Sequence, residues 1–359
     1  MRPRFLLITW IMLLAGAAGG ILAASVHLPM PWMLGSLAAI AVIVATTPDR
    51  ILGDYVFPRR LRETFTGVIG VMIGTQVSPE MIAHLGFLPL SVIALALFVV
   101  LAHGGNYLIF RHIGGMEKST AFFSGSPGGL MESIALGDAS GADIRVLSIQ
   151  QFLRIILVVG LLPLGFSIWR GAPVGSAAGM APIGHTAEDL PLWAGLALMV
   201  LLVFLGQAVG RRIRLPAAQL IGPLVLTGAL NVTGLMPLHL PGWVIGVAQV
   251  VVGVGLGMRF VGVTGRMLTR SVGLSLLSVS YMMVIGAGFA WALHAATDIP
   301  FEHMLLSFAP GGVTEMSLVA LSLSANPALV SIHHLIRILL TVLELSLVAR
   351  RLNLSQRMP

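Results

Sequence analysis

The chain has 359 residues, of which 57% are hydrophobic and 10% charged, with a mean hydropathy of +0.95. Soluble domains carry roughly 25% charged residues, so a soluble globular fold is excluded and a polytopic membrane protein is predicted. With no cysteine there is neither a disulfide framework nor a thiolate metal site, and the +7 formal charge comes from short Arg clusters between apolar segments, not from a nucleic-acid-binding stripe.

In chain order, Arg2 and Arg4 lead into an apolar run at 5–25. That start resembles a secretory signal peptide. It corresponds, however, to residues 191–210 of the second half, and it is read as the first transmembrane helix. Segments at 31–47, 63–84, 88–110 and 146–168 follow, and the second half offers 191–210, 217–233, 241–262, 271–294 and 329–349. All have spanning or near-spanning length. Two further apolar segments, 119–137 and 302–320, are interrupted by Pro-Gly-Gly.

The second half repeats the first. Pro127, Gly128, Gly129, Glu132 and Arg154 return as Pro310, Gly311, Gly312, Glu315 and Arg337, all at an offset of 183 residues. Between 127–155 and 310–338, 9 of 29 positions are identical, and the only charged identities are the Glu and the Arg. Leu28-Pro29 with Gly35 matches Leu215-Pro216 with Gly222, and Gly70 with Gly74 matches Gly253 with Gly257. The latter are GxxxG spacings, which read as close helix packing.

Arginines set the topology through the positive-inside rule. Arg50, Arg59, Arg60 and Arg62 mark one inner loop, and Arg111 with Lys118 a second. Arg211, Arg212 and Arg214 mark a third, Arg259, Arg266 and Arg270 a fourth, and Arg350, Arg351 and Arg357 an inner C-terminus. The loops at 26–30, 85–87, 234–240 and 295–301 carry no Lys or Arg, and the linker at 169–190 carries only Arg170. An odd number of crossings must join 111–118 to 169–190, yet two apolar segments intervene. The interrupted segment is therefore read as a re-entrant hairpin, and the same parity applies to 302–320. Five crossings per half invert the second half relative to the first, a recurring plan of secondary transporters. The alternative, twelve full spans in a parallel repeat, places the arginine-rich 211–214 loop outside.

Ser126 to Gly129 and Ala309 to Gly312 are expected to end one half-helix and begin another. The N-terminus of each second half-helix presents unpaired N–H groups and a partial positive charge, suited to a carboxylate. A packing kink is the alternative. Glu132 and Glu315 fall in the first turn of those half-helices, where each can cap the helix or take up a proton. Arg154 and Arg337 lie within about 5 Å of the midpoints of their spans, and contacts from Arg154 to Glu132 and from Arg337 to Glu315 are predicted. Cross-pairing of Arg154 with Glu315 stays open, as does a purely structural ion pair. Gln150 and Gln151 become His333 and His334 in the second half, where Thr341 and Glu344 are added. Glu132, Glu315, His333 and His334 are candidates for proton coupling, against neutral histidines satisfied by nearby carbonyls. No metal-ligand cluster, Walker loop or nucleophile elbow appears.

The paired motifs SGSPGGLMESIALG and SFAPGGVTEMSLVAL, each followed by an IxxxxR helix, resemble the bacterial AbrB-duplication membrane family over nearly the whole chain. Labels attached to that family, AbrB-type transcriptional regulator and ammonia monooxygenase, imply regulation of gene expression or copper chemistry. The residues offer neither a soluble DNA-binding module nor a convergent His/carboxylate cluster.

The expected fold is an all-α polytopic membrane protein with two inverted repeats of five transmembrane helices, each carrying one re-entrant Pro-Gly-Gly hairpin. Residues 1–170 form the first repeat, 171–190 an extracytoplasmic linker and 191–359 the second repeat. The expected function is secondary transport of a small anionic organic solute across the bacterial inner membrane, with proton coupling open and both termini cytoplasmic. A membrane sensor or regulatory subunit is the alternative, and an intramembrane monooxygenase a weaker one. The expected binding residues are Ser126, Pro127, Gly128, Gly129, Glu132, Arg154, Pro310, Gly311, Gly312, Thr314, Glu315 and Arg337. No enzyme activity, cofactor, metal or nucleic acid is expected; the partners are the solute and the lipid bilayer, and a homo-oligomer is allowed.

Overall fold

A computed structural model describes residues 3–47, 52, 55–77, 84–171, 191–215, 217–234, 238, 240–263, 265–297, 299–323 and 325–351. Apart from Gly171, the expected linker at 171–190 lies outside the described residues, as do Arg2, Arg50 and Arg357 of the basic clusters. Among the described residues there are 14 α-helices. In the first half these are α1 (Pro3–Ser25), α2 (Pro31–Thr46), α3 (Arg59–Gly74), α4 (Leu88–Leu108), α5 (Lys118–Ser124), α6 (Leu130–Ala139) and α7 (Ile144–Arg170). The second half supplies α8 (Leu192–Arg212), α9 (Ala218–Val232), α10 (Gly242–Gly257), α11 (Gly265–Thr297), α12 (Phe301–Phe308), α13 (Val313–Ser322) and α14 (Pro327–Arg351).

Prolines punctuate this order. Pro31 and Pro327 occupy first turns, while Pro191, Pro241 and Pro300 immediately precede α8, α10 and α12. Proline is tolerated there because the first helical N–H groups have no intrahelical acceptor. Seven helices, α1, α4, α7, α8, α10, α11 and α14, are long and apolar enough to cross a bilayer. The chain is a multi-pass membrane protein.

One expected span, 63–84, ends early, because α3 stops at Gly74, whereas α2 and α9 match the 31–47 and 217–233 runs to within a residue at each end. Helices α2, α3 and α9 have 16, 16 and 15 residues, or roughly 22–24 Å each at 1.5 Å per residue against a hydrocarbon core of about 30 Å. Helix α3 stops at Gly74, where the Thr75 hydroxyl donates to Met72 O at 2.8 Å. The following turn is held by Asn231 of α9, whose amide donates to Val77 O at 2.9 Å.

The chain divides into two compact units that draw segments from both halves. One comprises residues 1–85, 160–262 and 317–328, the other 86–159, 263–316 and 329–359. The boundaries fall inside α7, α13 and α14.

In the first unit, α1 and α2 pack with α10, while α8 and α9 pack with α3. Each trio thus takes its third helix from the other half of the sequence. Glycines make the contacts close. A β-carbon on Gly74 would lie 2.6 Å from Thr227 Cβ and 2.8 Å from Leu224 O of α9; on Gly257 it would lie 2.7 Å from Ile40 Cβ and 2.8 Å from Leu37 O of α2. The GxxxG positions therefore do pack helices.

In the second unit, α11 packs against α4 and α12. Phe98 of α4 meets Phe289 of α11 and Phe308 of α12 edge-on, with centroids 6.3 and 5.5 Å away, tying the three helices together. Helix α5 packs against α4 and α6. All residues of the candidate site belong to this unit.

Candidate functional site

Both Pro-Gly-Gly motifs separate helices. Helix α5 ends at Ser124 and α6 starts at Leu130, with Gly129 between them at φ 60° and ψ 52°. That left-handed conformation favours glycine. Helix α12 ends at Phe308 and α13 starts at Val313, with a tight turn in which the Gly311 N–H donates to Ala309 O at 2.8 Å.

Each break exposes carbonyls that a continuous helix would have paired. At the first, Arg154 Nη1 donates to Ser126 O. The Gln151 amide lies 3.1 Å from the oxygens of both Phe123 and Ser124 and 2.9 Å from the Ser126 hydroxyl, which in turn meets Ser133 Oγ at 2.7 Å. At the second, Arg337 Nη1 donates to Ala309 O and Nη2 to Gly311 O, the latter at 2.6 Å. Ser126 and Ala309 are themselves equivalent at the 183-residue offset, so the two arginines grip the same carbonyl in each half, the one preceding the proline.

This corrects the predicted Arg154–Glu132 and Arg337–Glu315 contacts and the cross-pair of Arg154 with Glu315. Ion pairs form at Arg59–Glu63 and His103–Glu344, and neither involves Glu132, Glu315, Arg154 or Arg337. The physical reason is the break itself, which turns the carbonyl before the proline out of the helical ladder and beside a buried guanidinium that needs acceptors. Glu132 is exposed and Glu315 and Thr314 are partly exposed. Each carboxylate folds back over its own helix start: a β-carbon on Gly129 would sit 3.4 Å from Glu132 Oε2, and the corresponding space at Gly312 is taken by Glu315 Oε2. There the negative charge meets the positive end of the half-helix.

The arginines are deeply buried, at 4% and 1% exposure for Arg154 and Arg337. They lie within electrostatic range of each other. Neither has a carboxylate partner among the described residues, and the Nε groups of both, together with Thr341 Oγ1, are buried without a protein hydrogen-bond partner. Gly128 borders this group: its β-carbon would come within 3.2 Å of Thr341 Oγ1 and 3.6 Å of Arg337 Nε. The first break therefore abuts the long helix of the second half, and Gly311 reciprocally lies against Val158 of α7. Pro127 and Pro310 are buried at the two turns. His333 and His334 are fully buried and turn Nδ1 to the carbonyls of Leu329 and Val330, each at 2.9 Å. Among the described residues no three His, Asp or Glu side chains converge as metal ligands would.

The profile of the family described as "Transition state regulatory protein AbrB" matches residues 43–353, most of the chain. The chain belongs to the AbrB family. It is similar to the Escherichia coli (strain K12) protein named "Putative regulator AbrB", 26% identical over 327 residues that make up 91% of each chain. It is also similar to "Uncharacterized protein YhjN" of Bacillus subtilis (strain 168), 25% identical over 346 residues, 91% of this chain and 88% of that one.

In this AbrB-family chain the structure brings Ser126, Pro127, Gly128, Arg154, Pro310, Gly311 and Arg337 together with Gln151 and Thr341. One pair escaped the sequence reading: His103 of α4 bonds Glu344 of α14 across 241 residues. The available signals were a histidine and Asn106 inside the otherwise apolar 88–110 run.

Proposed function

We propose that the protein is a secondary transporter of a small anionic organic solute in the bacterial inner membrane, and not an enzyme. The observation that carries this reading is the pair of buried arginines, which have no carboxylate partner among the described residues. Uncompensated buried charge is expensive, so an anion that completes the site is favoured. The first-turn N–H groups of α6 and α13, which have no acceptor within their own helices, add donors and positive potential. Gly128 lets the backbone of the first break approach the unpartnered Arg337 Nε and Thr341 Oγ1, where a β-carbon would already be crowded at 3.2 Å from Oγ1.

In this proposal the halves are inverted repeats and each α5–α6 and α12–α13 pair is a re-entrant hairpin, with the termini cytoplasmic. The equivalent helix trios, the matching helix breaks and the arginine distribution support it. Broken helices at membrane depth are tolerated where they line protein or a watery path. A second reading, a sensor that binds its ligand without moving it, is favoured by the name of the Escherichia coli relative.

The test is flux of radiolabelled small carboxylates into proteoliposomes under an imposed pH gradient. Wild type is expected to accumulate at least one of them, and Glu132→Gln, Glu315→Gln and Gly128→Ala to cut uptake by about tenfold or more while remaining inserted. Saturable binding without uptake in wild type would move the assignment to the sensor. Uptake untouched by all three substitutions would remove the hairpins from the site.

A further inference from the structure

The His103–Glu344 pair has a hydrogen-bond pattern that fixes its proton count. His103 Nε2 lies 2.8 Å from Phe122 O, and a carbonyl only accepts, so Nε2 carries hydrogen. Nδ1 lies 2.6 and 2.7 Å from the two carboxyl oxygens of Glu344. A second hydrogen must occupy that bond, either on an imidazolium facing a carboxylate or on a carboxylic acid facing a neutral ring. Both descriptions contain one proton more than a neutral histidine beside a carboxylate.

We propose that His103 and Glu344 form a proton-binding site that latches α4, α5 and α14 together, and that release of this proton is the coupled step of the transport proposed above, on which the coupling part of the inference rests. When the proton leaves for water, the pair cannot keep both bonds. If hydrogen stays on Nε2, the Nδ1 lone pair faces carboxylate oxygens and Glu344 must withdraw. If it moves to Nδ1, the Nε2 lone pair faces Phe122 O and that contact must open. Either outcome reaches the site. Phe122 lies in the last turns of α5 before the first break, which Asn106 also ties to α4 through Gly125 O at 3.2 Å. Glu344 lies two turns beyond Arg337, which grips the second break.

His103 is 2% exposed and Glu344 17% exposed at their side chains, so the carboxyl is the more accessible member for proton exchange. The surrounding elements also carry Tyr107 on α4, Lys118 on α5, Arg270, Tyr281 and His294 on α11, and His333, His334, Arg337 and Arg351 on α14. Tyr281 is occupied with Leu101 O at 2.9 Å, and the Tyr107 ring stands edge-on to Phe122. None of these is altered by changing Glu344 to its amide.

Glu344→Gln is the discriminating variant, because a glutamine amide donates to Nδ1 and reproduces the protonated state while keeping both contacts. Hydrogen exchange of residues 118–130, corrected for the intrinsic pH dependence, is followed in lipid nanodiscs without solute from about pH 5 to about pH 9. Wild type is expected to lose protection by about tenfold or more as pH rises, and Glu344→Gln to stay protected throughout. Wild-type protection that ignores pH, or a Glu344→Gln profile that follows wild type, would overturn the latch. Nitrogen-15 spectra of His103 give an independent decision: a single hydrogen on the pair at every pH overturns it, and two at low pH support it. Uptake of the carboxylate panel is then driven by a pH gradient. Gradient-driven accumulation that persists in Glu344→Gln overturns the coupling role. Failure of wild type to move any carboxylate refutes the transport reading, while the exchange and nitrogen-15 results still decide the proton site.

Discussion

Replacing Arg337 with methionine separates what the guanidinium does for the second break from what its burial costs the fold. Two charge-assisted bonds, to Ala309 O and Gly311 O, are removed; Gly311 O loses its donor, while Ala309 O keeps the Gly311 N–H. Hydrogen bonds to charged groups contribute about 1.5–3 kcal/mol each, so the local loss is roughly 3–6 kcal/mol. Against this, the buried charge and its repulsion by Arg154 disappear, a gain of several kcal/mol in general terms. Global stability is therefore expected to change by no more than about 3 kcal/mol, while opening of the break rises by about 100-fold. Hydrogen–deuterium exchange of peptides covering 305–316, compared with 121–133, measures the contrast, and a thermal melt measures the global term. The first break should stay protected because Arg154 and Gln151 still hold it. Equal acceleration in both segments, or no acceleration at 305–316, refutes the reasoning.

Two further outcomes test the fold. Gly70→Ala places a methyl group against the Leu220 carbonyl of α9, where backbone cannot give way, and is expected to lower the melting temperature with a loss of about 1–3 kcal/mol. Gly288→Ala in α11 meets nothing within 4 Å and should be neutral or stabilising by up to about 1 kcal/mol in the same melt. Because the chain has no cysteine, a single one introduced at Gly141 can be labelled without background. The hairpin proposal expects labelling from the cytoplasmic side, as for a cysteine at Gly115, whereas a twelve-span arrangement places residue 141 outside.

The apolar runs made the membrane class and the seven long helices legible, and Pro-Gly-Gly located both helix breaks, because these signals are local. The end of α3 was legible in part, because Thr75, Gln76, Ser78, Pro79 and Glu80 interrupt the apolar run after Gly74, whereas the hold of Asn231 on the turn comes from another helix and leaves no local signal. Repetition of Glu132 and Arg154 marked residues that matter without saying what each touches. Opposite charges suggested a pair, but the arginine meets the carbonyl that its own break leaves unpaired. The division into units was hidden for a related reason. Sequence order separates two halves, whereas packing collects equivalent segments from both.

The exchange of third helices between the trios bears on synthesis. When α3 emerges, the face carrying Gly70 and Gly74 has no partner until α9 has been made. At translation rates of about 5–20 residues per second, that interval is on the order of ten seconds. During it a helix of 16 residues must be shielded by lipid, by the insertion machinery or by a provisional neighbour. An amino-terminal fragment ending in the linker would retain that unmatched face permanently, and a carboxy-terminal fragment would retain the matching one on α10. Neither half should assemble alone, yet the two expressed together carry complementary faces and should recover a common, protease-resistant particle.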